Sequence, residues 1–410
     1  MALRIRPLEF EVCKDDPFHN DLLNRRPSIE ALTNVLGALH GPCVLALDSE
    51  WGGGKTTFIK MWAAYLRNEG YPVAEFNAWE TDFSGDPFVA LSSKLEEHFD
   101  AVSPDAAARD TRSFAEAAKR LALRAAPVAI RIASQGLLDA GSLEQALAKE
   151  IASLAENRLH EFREGQRSIY DFREILKQEA LNLSSRHNDR SLFVMIDEMD
   201  RCRPSYAVEL LEVAKHLFSA DRIVFVLAVN RPQLAQSVKT LYGIEFDAQG
   251  YLHRFFDLDY RLPSPDREQF VLKAFHETGL TAYLNYISGP LEHMSTMSAR
   301  LLSFSSLDLR SIAQAVRRLS IACASLGDSF PGVTAGLCIA CALRALDSEL
   351  YLHLSKGDIP DNEIIDRLYR IGTLRDLQYT PEGYFLEAAI SVTWCGLSPG
   401  VQRYPGILSN

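Results

Sequence analysis

Two short clusters of residues carry chemistry. The first is Gly52-Gly53-Gly54-Lys55-Thr56-Thr57, and the second is the carboxylate pair Asp197-Glu198. Glycines let backbone N–H groups approach phosphate oxygens with no Cβ in the way. A lysine directly after them can reach the β- and γ-phosphates of a nucleotide, and the Thr56 hydroxyl can ligate Mg²⁺. Ser49, Glu50, Trp51 and Thr57 complete the candidate phosphate-binding stretch. The consensus G-x-x-x-x-G-K-[ST] has glycine where this chain has Ser49, and serine takes most turn conformations except a positive φ. Asp197 is the candidate partner of the metal, together with Thr56. Glu198 is the candidate base that polarises an attacking water, a role worth about 10²–10⁴-fold in rate. Asn230 closes a later apolar run. It can touch the γ-phosphate or the water, or it can simply end a strand before Pro232.

These residues are useful only if the chain holds them together. An apolar run over 44–47 reads as a buried strand, and 3.6-residue spacing over 58–66 reads as a helix. Strand, glycine turn, Lys-Thr and helix form the context of a P-loop, with the helix N-terminus adding positive dipole. A second strand is expected over 73–76. The run 191–196 reads as a core strand that delivers Asp197 beside the P-loop, and 223–229 as the strand that ends at Asn230. A last short strand is expected over 255–260. Unbroken apolar strands alternating with helices predict an α/β fold, a parallel sheet flanked by helices.

The remaining segments read as helices. One covers 29–39 with Ser28 as its N-cap, and one covers 205–218. An alanine-rich block reads as helices over 87–99, 106–124, 143–166 and 170–183. It lies between Lys55 and Asp197 and exceeds what a minimal nucleotide-binding core needs, so it is expected to be a helical insertion. Beyond Pro263 the pattern predicts helices over 267–278, 283–287, 309–326, 333–350, 362–369 and 384–393. The organisation is therefore a core half at 1–85, the insertion at 86–190, the second core half at 191–263 and a C-terminal helical domain at 264–410.

Composition narrows the function. The chain has 410 residues, 47% of them hydrophobic and 24% charged, the ordinary balance of a globular protein with a sizeable core. A net charge of −11 argues against general nucleic-acid binding, leaving only local arginine clusters at 112–131 and 310–318. Seven scattered cysteines fit a reducing compartment and no disulfide framework. The apolar stretch 121–138 carries Arg124, Pro127 and Arg131, which predicts an amphipathic helix and no integral membrane segment. No secretory leader is apparent at Met1, so a cytoplasmic protein is expected. Cys338 and Cys341 have CxxC spacing inside an apolar helical run, where buried thiols are the expectation. Trp51 and Trp79 read as core aromatics, and His216 and His253 as packing or surface groups.

The transition state of phosphoryl transfer usually needs an arginine as well. Arg201, Arg254 and Arg310 are the candidates, with Arg317 and Arg318 behind them. Asp200 and Arg201 are expected to pair with each other. Arg254 stands at a domain edge, which suits a finger offered to a neighbouring subunit.

The chain resembles the KAP family of P-loop NTPases. The resemblance is carried by Glu50 to Thr56, by Phe76-Asn77-Ala78-Trp79-Glu80, by Ile196 to Cys202 and by Val226 to Asn230. It continues through Leu241-Tyr242-Gly243 and Tyr251 to Phe256, and is weaker at Asp308-Leu309-Arg310. Departures include Ser49 for the family's first glycine, Glu198 for its second Asp, and Asn230 for a frequent Asp. The resemblance implies an ATPase using ATP and Mg²⁺, related to AAA+ and STAND proteins, with Arg310 as a sensor in a helical lid. It also implies a homo- or hetero-oligomer acting as a switch for an effector encoded nearby, in defence against phage. Two other expectations stay open: a nucleotide-dependent scaffold that does not hydrolyse, and a DNA-stimulated translocating ATPase.

Overall fold

The computed structural model describes residues 12–102 and 170–390, apart from positions 40, 171, 377, 385 and 389 and the stretches 218–219, 289–293, 304–306, 327–330, 371–374 and 381–382. The helices expected at 106–124 and 143–166, the segment 121–138 and the arginine cluster at 112–131 lie outside the described residues.

Five parallel strands form one sheet: β1 (Cys43–Asp48), β2 (Val73–Asn77), β3 (Leu192–Asp197), β4 (Ile223–Val229) and β5 (Leu258–Arg261), in the order β2-β3-β4-β1-β5. Alternate side chains of the three central strands supply two separate cores. Val44, Ala46, Val194, Ile196, Phe225 and Leu227 face one side, and Leu45, Leu47, Phe193, Met195, Val224 and Val226 face the other. Both faces are covered, so these strands are apolar throughout. Burying each large side chain contributes about 1.5–3 kcal/mol.

The helix Lys55–Asn68 begins immediately after the glycines and turns Phe58, Met61, Trp62 and Leu66 into the second core. Trp62 Nε1 donates to Thr33 Oγ1 at 2.9 Å, which ties this helix to the first one, Arg26–Gly37. That first helix starts earlier than expected. Pro27 occupies its first turn, and Ser28 Oγ accepts a hydrogen bond from Tyr260 instead of capping. Helices Pro87–Val102 and 172–186 cover the first face, packing Phe88 on Phe172 with ring centroids 4.8 Å apart.

Beyond β5 the regular elements among the described residues are all helices. Helices Arg267–Thr278, Leu280–Ser288, Met294–Leu302, Leu309–Leu326 and Pro331–Leu346 enclose a third core around Phe275, Leu284, Ile312, Val316 and Cys338. Leu22 and Leu23, from the N-terminal turn, pack against it. Two local expectations are corrected. The helix expected over 333–350 is broken at Asp347, whose carboxylate accepts from the Glu349 and Leu350 amides and caps a new helix, Ser348–Lys356. The last strand begins three residues later than expected, because Phe255 is drawn into an aromatic cluster with Tyr251, centroids 5.0 Å apart.

Candidate functional site

The glycine turn and the acidic turn meet at the C-terminal edge of the sheet. Gly52 and Gly54 both have left-handed backbones, φ 71° and 88°, and Gly54 is the N-cap of the helix that carries Lys55. A Cβ on Gly52 would lie 2.5 Å from Asp308 Cβ, and one on Gly54 would lie 3.2 Å from Leu23, so only glycine fits there without a shift. On Gly53 a Cβ would collide with Ser49 Oγ, so the departure at position 49 folds its hydroxyl against its own loop. Lys55 Nζ donates to Ser49 O at 2.7 Å and to Glu50 O at 3.3 Å, and it lies 3.8 Å from Asp200 Oδ2. Burial lowers the Lys55 pKa, and Asp200, Asp197 and Asp48 pull it the other way.

Asp197 ends β3, and β4 lies between β3 and the strand β1 that leads into the P-loop. Asp197 reaches the loop's helix, where the Thr56 hydroxyl lies close enough to favour the ionised carboxylate. The Glu198 amide donates to the same carboxylate at 2.8 Å. Burial raises the Asp197 pKa above the ordinary carboxylate value. Glu198 itself is left-handed, φ 62° and ψ 23°, and both of its carboxylate oxygens are engaged. Arg201 Nη1 reaches Oε1 at 2.7 Å, and Asn77 Nδ2 donates to Oε2 at 3.3 Å.

Around these groups lies a cavity of about 310 Å³. Glu50, Trp51, Gly52, Gly54, Lys55, Thr56, Thr57, Asp197, Glu198, Arg201 and Arg310 line it. The N-terminal turn contributes Leu22, Leu23 and Arg25, and the C-terminal helices contribute Phe270, Leu309 and Ala313. One end is therefore charged and the other apolar, which suits a ligand with an anionic part and a flat apolar part.

Several expected residues stand elsewhere. Ser49 and Gly53 line a smaller cavity on the other side of the loop, beside Arg261 and Pro263. Asn230 is buried and accepts from the Gln233 amide at 3.3 Å, capping the helix Arg231–Tyr242, and it does not line the nucleotide-sized cavity. Arg254 is exposed in the turn after helix Ala248–Leu252 and lies outside that cavity, as do Arg317 and Arg318. Asp200 and Arg201 do not pair with each other, since Asp200 faces Lys55 and Trp51 Nε1 while Arg201 holds Glu198. Nor are the two tryptophans core groups. Trp51 is 53% exposed and Trp79 54%, with Arg201 over the Trp79 ring at 5.7 Å. Cys338 and Cys341 are buried as expected, and burial pushes the Cys341 thiol up to about 12. His253 is exposed, and the His216 side chain lies outside the described residues.

The sequence missed Arg25, Asn77, Asp200 and Asp308 as site residues. Asn77 and Asp200 adjoin motifs already singled out. Arg25 and Asp308 reach the loop only through long-range packing.

The model of one protein family, the KAP family P-loop domain, matches residues 25–326. This chain belongs to the KAP family. Its P-loop, the acidic turn and the first helices beyond β5 all fall inside the matched span. Among curated proteins, the phage T7 exclusion protein of Escherichia coli (strain K12) is 27% identical over 78 residues, which is 19% of this chain and 10% of that protein. Two solved structures are distantly similar. The ORC2 protein of Aeropyrum pernix, in its ADPNP-ADP complexes, is 16% identical with a TM-score of 0.35, covering 93% of this chain and 82% of that one. CDC6P from Pyrobaculum aerophilum is 11% identical with a TM-score of 0.41, covering 97% of this chain and 86% of that one. No described helix is long and apolar enough to cross a membrane.

Proposed function

We propose that this KAP protein binds and hydrolyses ATP with Mg²⁺ and acts as a nucleotide-driven switch for a partner effector in defence against phage. The observation that carries this reading is the convergence of Lys55, Thr56, Asp197 and Glu198 on one cavity. Thr56 and Asp197 fit a magnesium ion. They are hard-oxygen donors side by side, and among the described residues the Glu198 amide is the hydrogen-bond donor to the buried carboxylate, with the Thr56 hydroxyl beside it. Those two residues would hold the metal, which supplies screening of charge on the phosphate oxygens. Lys55 exchanges its loop carbonyls for the β- and γ-phosphates. Glu198 orients a water and takes its proton once Asn77 or Arg201 releases a carboxylate oxygen. Arg310 supports the nucleotide from the C-terminal helices. Exposed Arg254 serves the site of a neighbouring subunit in an oligomer. The short similarity to the phage T7 exclusion protein supports the defence setting, and an effector partner in the cytoplasm follows from the same reading.

Turnover of ATP by the purified chain tests the proposal. Glu198→Gln is expected to slow hydrolysis about 10²–10⁴-fold while leaving nucleotide binding in place, and Lys55→Ala to weaken binding itself. Nucleotide uptake with no turnover in the unsubstituted protein would favour the scaffold. Turnover accelerated by DNA would favour translocation.

A further inference from the structure

We propose that Arg25 is a positioning residue that locks the phosphate loop to the linker entering the C-terminal helices, so that the two move as one. The inference rests on the nucleotide-site reading above and extends it to how the site communicates. Arg25 is the residue before the first helix and is only 3% exposed. Its Nη1 donates to Pro263 O at 2.8 Å and its Nη2 donates to Gly53 O at 3.2 Å. Gly53 belongs to the phosphate loop. Pro263 lies between β5 and helix Arg267–Thr278, the first of the C-terminal helices. One guanidinium therefore spans three segments that are far apart in sequence.

The surroundings make this arrangement specific. Arg25 Nε is buried with no hydrogen-bond partner among the described residues, and burial lowers the pKa of the group against the pull of Asp21 and Tyr260. Burying a guanidinium is costly unless its donors are used. Two of its donors are used here on backbone carbonyls, which makes the side chain a brace between main chains. Arginine's planar fork can hold two acceptors in fixed geometry, whereas a lysine ammonium is a point charge on a flexible stem. The same N-terminal turn adds Leu23, which lies against Gly54 and also packs on the C-terminal core. A shift of the Gly53 carbonyl, which a ligand on the loop amides would impose, is transmitted through Arg25 to Pro263.

Hydrogen exchange on the full-length chain tests this. Without nucleotide, Arg25→Gln is expected to speed exchange about tenfold in both 49–54 and 262–266, since a hydrogen bond to a charged group is lost on at least one side. With ATP and Mg²⁺, the unsubstituted chain is expected to slow exchange in both segments, and Arg25→Gln only in 49–54. Arg25→Lys is expected to resemble Arg25→Gln, because Pro263 O and Gly53 O are met by two different nitrogens of the guanidinium fork and a single ammonium on a shorter stem does not reach both. Should Arg25→Gln fail to fold, Arg25→Lys carries the same comparison. Linker exchange unchanged in Arg25→Gln, or a full return to the unsubstituted pattern in Arg25→Lys, overturns the brace. An unsubstituted chain with no response to ATP in either segment sinks the nucleotide-site reading instead, and the nucleotide-free comparison still decides Arg25.

Discussion

The phosphate loop and the acidic turn solve the same geometric problem in opposite ways. Each follows a core strand, β1 or β3, and each must bend the chain sharply through a left-handed residue. The phosphate loop uses glycine at both such positions, Gly52 and Gly54, and the freed space is taken up by Asp308 and Leu23. The acidic turn places Glu198 there, at φ 62°. A left-handed non-glycine residue costs roughly 1–2 kcal/mol. That strain is offset by the Asp197 carboxylate accepting the Glu198 amide, and by Arg201 and Asn77 holding the side chain. The difference teaches where a side chain can be given up. At Gly52 and Gly54 the loop contributes backbone, so a side chain is dispensable there. The acidic turn contributes a carboxylate, so the strain is tolerated.

Three substitutions or conditions sharpen this contrast. The largest effect is expected from Gly52→Ala. It combines a strained φ with a contact of 2.5 Å to Asp308 Cβ, and a loss of about 2–3 kcal/mol in stability follows. Thermal unfolding measures it, and an unchanged midpoint would show that Asp308 and its helix simply move away.

Next comes pH. The Asp197 pKa is raised, first by burial, so the folded chain binds a proton here more readily than the unfolded one. In the window between the ordinary value of 3.8 and the raised one, acidification therefore stabilises the metal-free fold at this residue. Over the same window Mg²⁺-dependent nucleotide affinity is expected to fall by about tenfold per pH unit below the raised value, because the metal needs the ionised carboxylate. Titration calorimetry at stepped pH would show it, and Asp197→Asn should abolish the dependence.

The smallest effect is expected from Glu198→Gly. Relief of the left-handed strain and loss of the Arg201 and Asn77 contacts oppose each other, so stability should change by less than about 1 kcal/mol while hydrolysis is lost. A drop comparable to that of Gly52→Ala would refute the contrast.

Much of this was legible in the sequence. Gly52-Gly53-Gly54-Lys55-Thr56 between an apolar run and a helical pattern specified the loop, because glycine and lysine act there through short-range geometry. The apolar runs that became β3 and β4 were plain because both faces of a parallel sheet are buried. Roles assigned by proximity fared differently. Trp51 and Trp79 looked like core residues on side-chain type alone, and the structure exposes both, Trp51 lining the cavity and Trp79 lying under Arg201. Asn230 had the residue type of a sensor, and in the structure its side-chain Oδ1 accepts from the Gln233 amide and caps the next helix.

By itself the sequence determined the parallel strands, the glycine turn that only glycine can make, and the acidic pair at the end of a core strand. Each depends on neighbours within a few residues, where propensity, periodicity and φ restriction act directly. Only the tertiary structure decided that β4 separates β1 from β3, that Asp200 faces Lys55 while Arg201 holds Glu198, and that Arg25 reaches Gly53 and Pro263. Apart from Glu198 and Arg201, which are three positions apart, those pairings join residues far apart in the chain. Their partners are chosen by which helices pack on which sheet face, and no local pattern records that choice.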